Sequence, residues 1–356
     1  MESNSQSDHL SLGKLWAKKY VQSLLSVAWE TPTSHSEGQA QTAEKLLNTL
    51  RFASSQAWAK TEKLLVDEMK RSQINPKLID PWQIADDSRL LFEKAAECYT
   101  AHLTPEQFSV VISPACGRIR QHYTASDPRI LGFMSMQFHY TGQLLLEQLV
   151  PDEQEMVQEY LKVMDDHLYM PLQRSYEAAA EYDYYSPVLM AVRQLLPIST
   201  RLAVSICEEV AQQYSQHQCY SGSLHSSQVR ISSIRDVEMF QIYLCLCALE
   251  NSITAVQQEL FPLCVMLYPP LKVHWQLVRQ MLRLLERDMQ NYLSPEYFNI
   301  FVAYLKLFQD MFATDVFPDD DSTWSSHPDS VRFLDTARSL LQDFHSQPGS
   351  LESNIE

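Results

Sequence analysis

Apolar and polar positions recur along this chain with a period near 3.6, the mark of helices that each bury one face. Leu12, Trp16, Tyr20 and Leu24 return every four positions, with Lys14, Lys18 and Lys19 off that stripe, predicting an amphipathic helix over 12–28. "ETPTSHSEGQ" (30–39) has linker composition, and a long helix is expected over about 41–72, with Leu46, Leu47, Leu50, Ala53, Trp58, Leu64, Leu65 and Met69 as its buried edge. Two prolines in "INPKLIDPWQI" (74–84) mark a boundary. Helical patterning resumes and continues to about residue 217, where "HQCYSGSLHSSQVRISS" (217–233) predicts a loop. The most apolar stretch follows, from Ile234 to Leu293, and predicts two helices broken at Pro269 and Pro270. A last helical pair starts at Ser294, and from Asp319 the chain turns polar around one short amphipathic segment, 328–345.

The pattern predicts an all-α fold, a layered bundle of about ten to thirteen helices with a disordered acidic C-terminal tail. Its divisions are an N-terminal helical arm (1–75), a helical bundle domain (76–218), a C-terminal helical subdomain packed on it (219–318) and the flexible tail with its short helix (319–356). Seven glycines in 356 residues suit helices and leave little material for hairpins or phosphate loops.

"HLTPEQF" (102–108) and "YLSPEYF" (292–298) are near copies. Each spells a helix start: a hydroxyl N-cap at Thr104 or Ser294, proline at the first helical position, and a glutamate in the positive first turn. "QLVPDEQ" (148–154) repeats the motif without the hydroxyl, and Tyr-Leu-Lys follows at both 160–162 and 304–306. The three prolines lie 46 and 144 residues apart, which is no solenoid period, so punctuation explains the copies better than duplicated sites; an ancient repeat stays open.

A formal charge of −16 opposes general binding to nucleic acid and favours basic or mixed-charge partners. It also favours docking of the 12–28 helix on the protein's own core, with peripheral membrane contact through that helix as the other reading. No stretch has the roughly 18 uninterrupted apolar residues of a membrane span, so no integral membrane segment is expected. Seven cysteines, odd in number and without a C-x-x-C pair, sit mostly in apolar runs, predicting reduced thiols and a cytoplasmic protein.

Glu-x-x-His, His-x-x-x-His and the zinc-protease pattern are absent from the sequence. Asp165, Asp166 and His167 are consecutive and must diverge; Cys219 with His217 and His225 is a thin zinc set. No metal site is expected. A tetrapyrrole, haem or bilin, needs one axial histidine in an apolar helical cleft, and His139 among Phe133, Met134, Met136 and Phe138 offers one. His122 beside Arg118 and Arg120 adds a second imidazole and cations for propionates. An ordinary core histidine explains His139 as well, so no cofactor is the primary expectation and the tetrapyrrole the alternative. Cys116, followed by glycine and a basic pair, is the one thiol with a local reason for a lowered pKa, though a structural cysteine explains it too.

"RSYEAAAEYDYYSP" (174–187) packs Tyr176, Tyr182, Tyr184 and Tyr185 with Glu177, Glu181 and Asp183. Such composition suits a protein contact patch, since the ring buries area while the hydroxyl tolerates water; a helix end covering the core suits it equally. Glutamine-rich, lysine-poor phrasing such as "LTPEQ" and "SPVLMAVRQLLP" resembles that of soluble helical proteins of cyanobacteria. That resemblance implies an assembly or regulatory factor with a photosynthetic complex as client. The expected function is therefore a non-catalytic helical protein–protein interaction factor. A tetrapyrrole binder is the second reading, and an enzyme whose residues are scattered through the sequence stays open.

Overall fold

A computed structural model describes residues 36–318 of the chain. They form twelve α-helices: α1 (Ser36–Arg71), α2 (Pro81–Thr100), α3 (Pro105–Ser126), α4 (Ile130–Leu146), α5 (Pro151–Tyr169), α6 (Leu172–Ala180), α7 (Pro187–Leu195), α8 (Ser199–Gln213), α9 (Ser227–Glu250), α10 (Phe261–Leu267), α11 (Trp275–Tyr292) and α12 (Pro295–Met311). The β structure among the described residues is one antiparallel ladder, β1 (Gln218–Cys219) and β2 (Gly222–Ser223). The all-α layered bundle expected from the periodicity is thus the fold. The expected helices over 12–28 and 328–345 and the acidic tail lie outside the described residues.

Local sequence explains where the helices begin. Pro105, Pro151 and Pro295 each sit in the first turn of α3, α5 and α12. There a missing N–H costs nothing and a fixed φ is already helical. Thr104 caps α3 in a reciprocal box with Gln107, and Asp80 caps α2 by accepting from Trp82 and Gln83. Ser294 stands at the N-cap of α12 but its side chain makes no cap bond.

Two elements differ from expectation. The serine-rich loop at 217–233 is partly ordered as the β ladder, whose turn places Gly222 at φ +133, and α9 already starts at Ser227. The apolar stretch beyond it holds three α-helices rather than two, because Asn251 ends α9 in the left-handed conformation at φ 48. The Ser252 N–H then donates to the Cys247 carbonyl, closing the helix. A π-helical turn, Val256–Leu260, precedes Pro262 in α10. The wider turn accommodates a proline that lacks an N–H and would clash with the carbonyl four residues back.

Packing arranges these helices in two layers. α1 lies along α4 and α2, and α3 along α5, while α8, α6, α12 and α7 pack on α9 and α11 packs on α8 and α12; α6 also meets α3 and α5 and so joins the layers. Every residue from Val237 to Leu249 is buried, so this part of α9 is covered all round and can be stable only with neighbours on every side. The apolar core is one cluster from Ala43 to Phe317, continuous across the expected divisions at 75/76 and 218/219. Pro187–Gln213, spanning α7 and α8, is long and apolar enough to cross a bilayer by length and composition, yet half of it is buried against the rest of the protein.

Candidate functional site

Two chains of charged residues run through the interior around α9. In the first, Arg120 of α3 is buried and donates to the Leu168 and Tyr169 carbonyls at 2.8 and 2.9 Å. Those carbonyls end α5, where the helix dipole favours a cation. The same guanidinium reaches the Tyr243 hydroxyl and, at 3.1 Å, Glu259 of the π-helical turn. Glu259 accepts Arg174 of α6 on its other oxygen at 2.5 Å, and Arg174 grips Glu250 with two bonds of 2.6 and 2.8 Å. Burial opposes the Arg174 charge, but Glu250 and Glu259 outweigh it and raise its pKa. Each charge has a counter-charge, which makes this chain a clamp between α3, α6, α9 and the π-helical turn.

The second chain is less evenly matched. Arg235 pairs with Asp165 of α5 and lies 4.1 Å over the Tyr169 ring. Its neighbour Asp236 accepts hydrogen bonds from the Tyr169 and Tyr268 hydroxyls. Burial nevertheless pushes the Asp236 carboxyl up to about 6, against the pull of Arg235 and both hydroxyls. One turn away, Lys162 meets buried Asp166 at 3.0 Å and Glu238 at 4.0 Å, and Thr200 donates to Glu238 at 2.7 Å.

The sequence-predicted residues fall in different places. His139 is half-buried on α4, where burial lowers its pKa and the charges of Asp165 and Arg235 act on it in opposite senses. His122 and Arg118 are exposed on α3, with the His122 ring edge-on to Tyr123. Arg120, between them in sequence, faces inward to the clamp. Asp165, Asp166 and His167 diverge as consecutive helical positions must, to Arg235, Lys162 and the Val163 carbonyl. Cys116 is fully buried and burial pushes its thiol well up, which removes the case for a reactive nucleophile. His217 bonds the Lys272 carbonyl and its ring meets that of His274. Among the described residues, no group of three histidine, cysteine or acidic side chains converges to hold a metal.

The tyrosine-rich segment divides into cover and surface. Tyr176 is half-buried, its ring against His167 and its hydroxyl held far above its ordinary pKa by burial. Tyr182 donates to the Leu249 carbonyl at 2.6 Å and so ties the turn to the end of α9. Tyr184 is half-buried under the Arg193 guanidinium, 3.9 Å from its ring centroid, and takes a hydrogen bond from the same arginine. Tyr185 is 82% exposed and stands edge-on to Tyr184 at 4.9 Å. Glu177, Glu181 and Asp183 are exposed beside it.

An apolar cleft opens between α1, α2 and α5, lined by Leu46, Leu47, Phe92, Tyr99, Tyr160 and Leu161 among others. It holds about 30 Å³, against roughly 300–1,000 Å³ for sites that enclose small molecules.

Arg174, Arg235, Asp236, Tyr243 and Glu259 escaped the sequence reading. A signal was present for two of them: Arg235 and Asp236 stand directly before the apolar run from Val237 to Leu249, where unpaired charge is costly. Comparison with protein-family models, with curated proteins and with solved structures gives no match for this chain.

Proposed function

We propose that this protein is a non-catalytic helical interaction factor, an assembly or regulatory adaptor, whose contact surface is the turn between α6 and α7. The observation that supports this most is the mounting of Tyr185. Its ring is exposed, yet it leans on Tyr184, which Arg193 holds from above, while Tyr182 ties the turn to α9. A large apolar ring presented to water in a fixed pose contributes area on binding with little loss of side-chain freedom. Glu177, Glu181 and Asp183, exposed in the same segment, make it acidic, so the fitting partner offers an apolar pocket with basic edges.

The test is native purification at low salt of the wild-type chain and Tyr185→Ala, with bound proteins identified by mass spectrometry. A partner retained in fixed proportion by the wild type and lost from a Tyr185→Ala protein of unchanged melting temperature is the expected result. A partner held equally by both, or none held by either, contradicts the proposal.

A further inference from the structure

We propose that the joint where α5, α9 and α10 meet is proton-responsive: Asp236 takes up and releases the proton, and the hydroxyls of Tyr169 and Tyr268 answer to its charge. This goes beyond the interaction reading and does not depend on it. Both hydroxyls bond the Asp236 carboxyl, while its Oδ1 is buried with no hydrogen-bond partner among the described residues. An ionised carboxylate with one dry, unpaired oxygen is costly, and a proton lowers that cost by neutralising the charge.

The adjacent cation bonds Asp165 rather than Asp236, and its Nε is buried without a hydrogen-bond partner among the described residues. Arg235 pairs with Asp165 and stacks over the Tyr169 ring, so its charge is shared between two carboxylates. The other titratable groups that face Asp236 are Asp165 and Tyr169 from α5, Cys264 from α10 and Tyr268 from its C-cap, Cys207 from α8 and Cys219 from β1. None of these brings a second positive charge. Asp236 also sits where its state matters mechanically. Tyr169, which it holds by the hydroxyl, lies beneath Arg235 and gives its carbonyl to Arg120. One carboxyl thereby touches the contacts that join α3, α5, α9 and α10.

The folded carboxyl is raised from 3.8 to about 6, so folding takes up a proton between those values. The stabilisation from this group is complete below 3.8 and is lost as pH rises through about 6. Around neutrality the joint therefore carries a charge that its surroundings disfavour, and mild acid relieves it.

Urea unfolding of the full chain between pH 4.5 and 8 tests the proposal, comparing wild type, Asp236→Asn and Tyr268→Phe. As pH rises across the window, the folding constant of wild type is expected to fall relative to that of Asp236→Asn by tens of fold. Tyr268→Phe removes a donor that favours the charged form, so it moves the inflection to higher pH. A gap between wild type and Asp236→Asn that stays constant across the window overturns the proposal, as does an inflection that Tyr268→Phe leaves in place. If Asp236→Asn does not fold, the comparison of wild type with Tyr268→Phe decides alone.

Discussion

Arg120 and Glu259 lie 3.1 Å apart with side chains 6% and 11% exposed, one from α3 and the other from the π-helical turn before α10. They are separated by 139 residues of sequence, and their contact joins the two layers of the bundle. A buried pair of this kind adds little over a well-packed apolar pair, but removing one member strands the other in a dry interior.

Arg120→Met is accordingly expected to cost on the order of 3–5 kcal/mol, since it abandons Glu259, Tyr243 and two carbonyls at once. Arg174→Met, at the half-exposed end of the same chain, is expected to cost about 1 kcal/mol or less because solvent screens its pairs. Urea midpoints of the two variants check the ranking; equal losses would show that Arg120 is not the anchor of the clamp.

Gly117 lies on α3 where a Cβ would fall 2.6 and 2.7 Å from Cγ and Cβ of Gln173 on α6. Alanine gains about 1 kcal/mol of helix propensity over glycine, but overpacking costs about 1–3 kcal/mol. A neighbouring Cβ cannot swing aside, so the clash wins and Gly117→Ala is expected to lower the melting temperature. It also displaces Gln173 from its bond with Ser113, at 2.8 Å, so the loss should persist when temperature is replaced by urea as denaturant.

Glu153 ties the start of α1 to the start of α5 by accepting from Lys45 and Thr42 at 2.9 Å each and from the Val150 N–H at 3.1 Å. The hydrogen bond from Lys45 leads in holding its carboxyl below the ordinary 4.5. Its contribution is therefore full above 4.5 and lost as pH falls through the lower folded value. Glu153→Ala should speed amide hydrogen exchange in the first turns of α1 at neutral pH, and wild type should approach the variant only in stronger acid. Equal exchange in both proteins at pH 7 would remove Glu153 from that role.

Arg193→Met keeps Tyr185 but withdraws the cation and the hydrogen bond that hold Tyr184. On the proposed function, partner affinity falls by about threefold to thirtyfold through a faster off-rate, because the anchor is no longer preorganised. Surface plasmon resonance against the partner recovered by native purification measures it. An unchanged off-rate would mean that the mounting of Tyr185 is incidental.

Features encoded locally were legible in the sequence. The proline-led starts at 105, 151 and 295 and the long helix α1 follow from residues within a turn of one another, and they appear where the pattern put them. The end of α9 at Asn251 was hidden because apolar residues continue beyond it with helical spacing, and that signal masked a single left-handed asparagine. Pairing of Arg120 with Glu259, or of Arg235 with Asp165, is decided by which helices meet, which no local pattern states. The tyrosine segment lies between these cases. Its composition announced a candidate surface, but Leu249 and Arg193, distant in sequence or in the next helix, decide which rings are covered and which one faces water.

The most direct measurement places a photo-crosslinking amino acid at position 185 and, separately, at position 52, where Phe52 is 69% exposed on α1. After irradiation in native lysate, the 185 protein should yield one dominant heavier species carrying a partner protein, and the 52 protein should yield none. Crosslinking of the same partner from position 52 alone, or equally from both positions, would contradict a contact surface built on the Tyr184–Tyr185 turn.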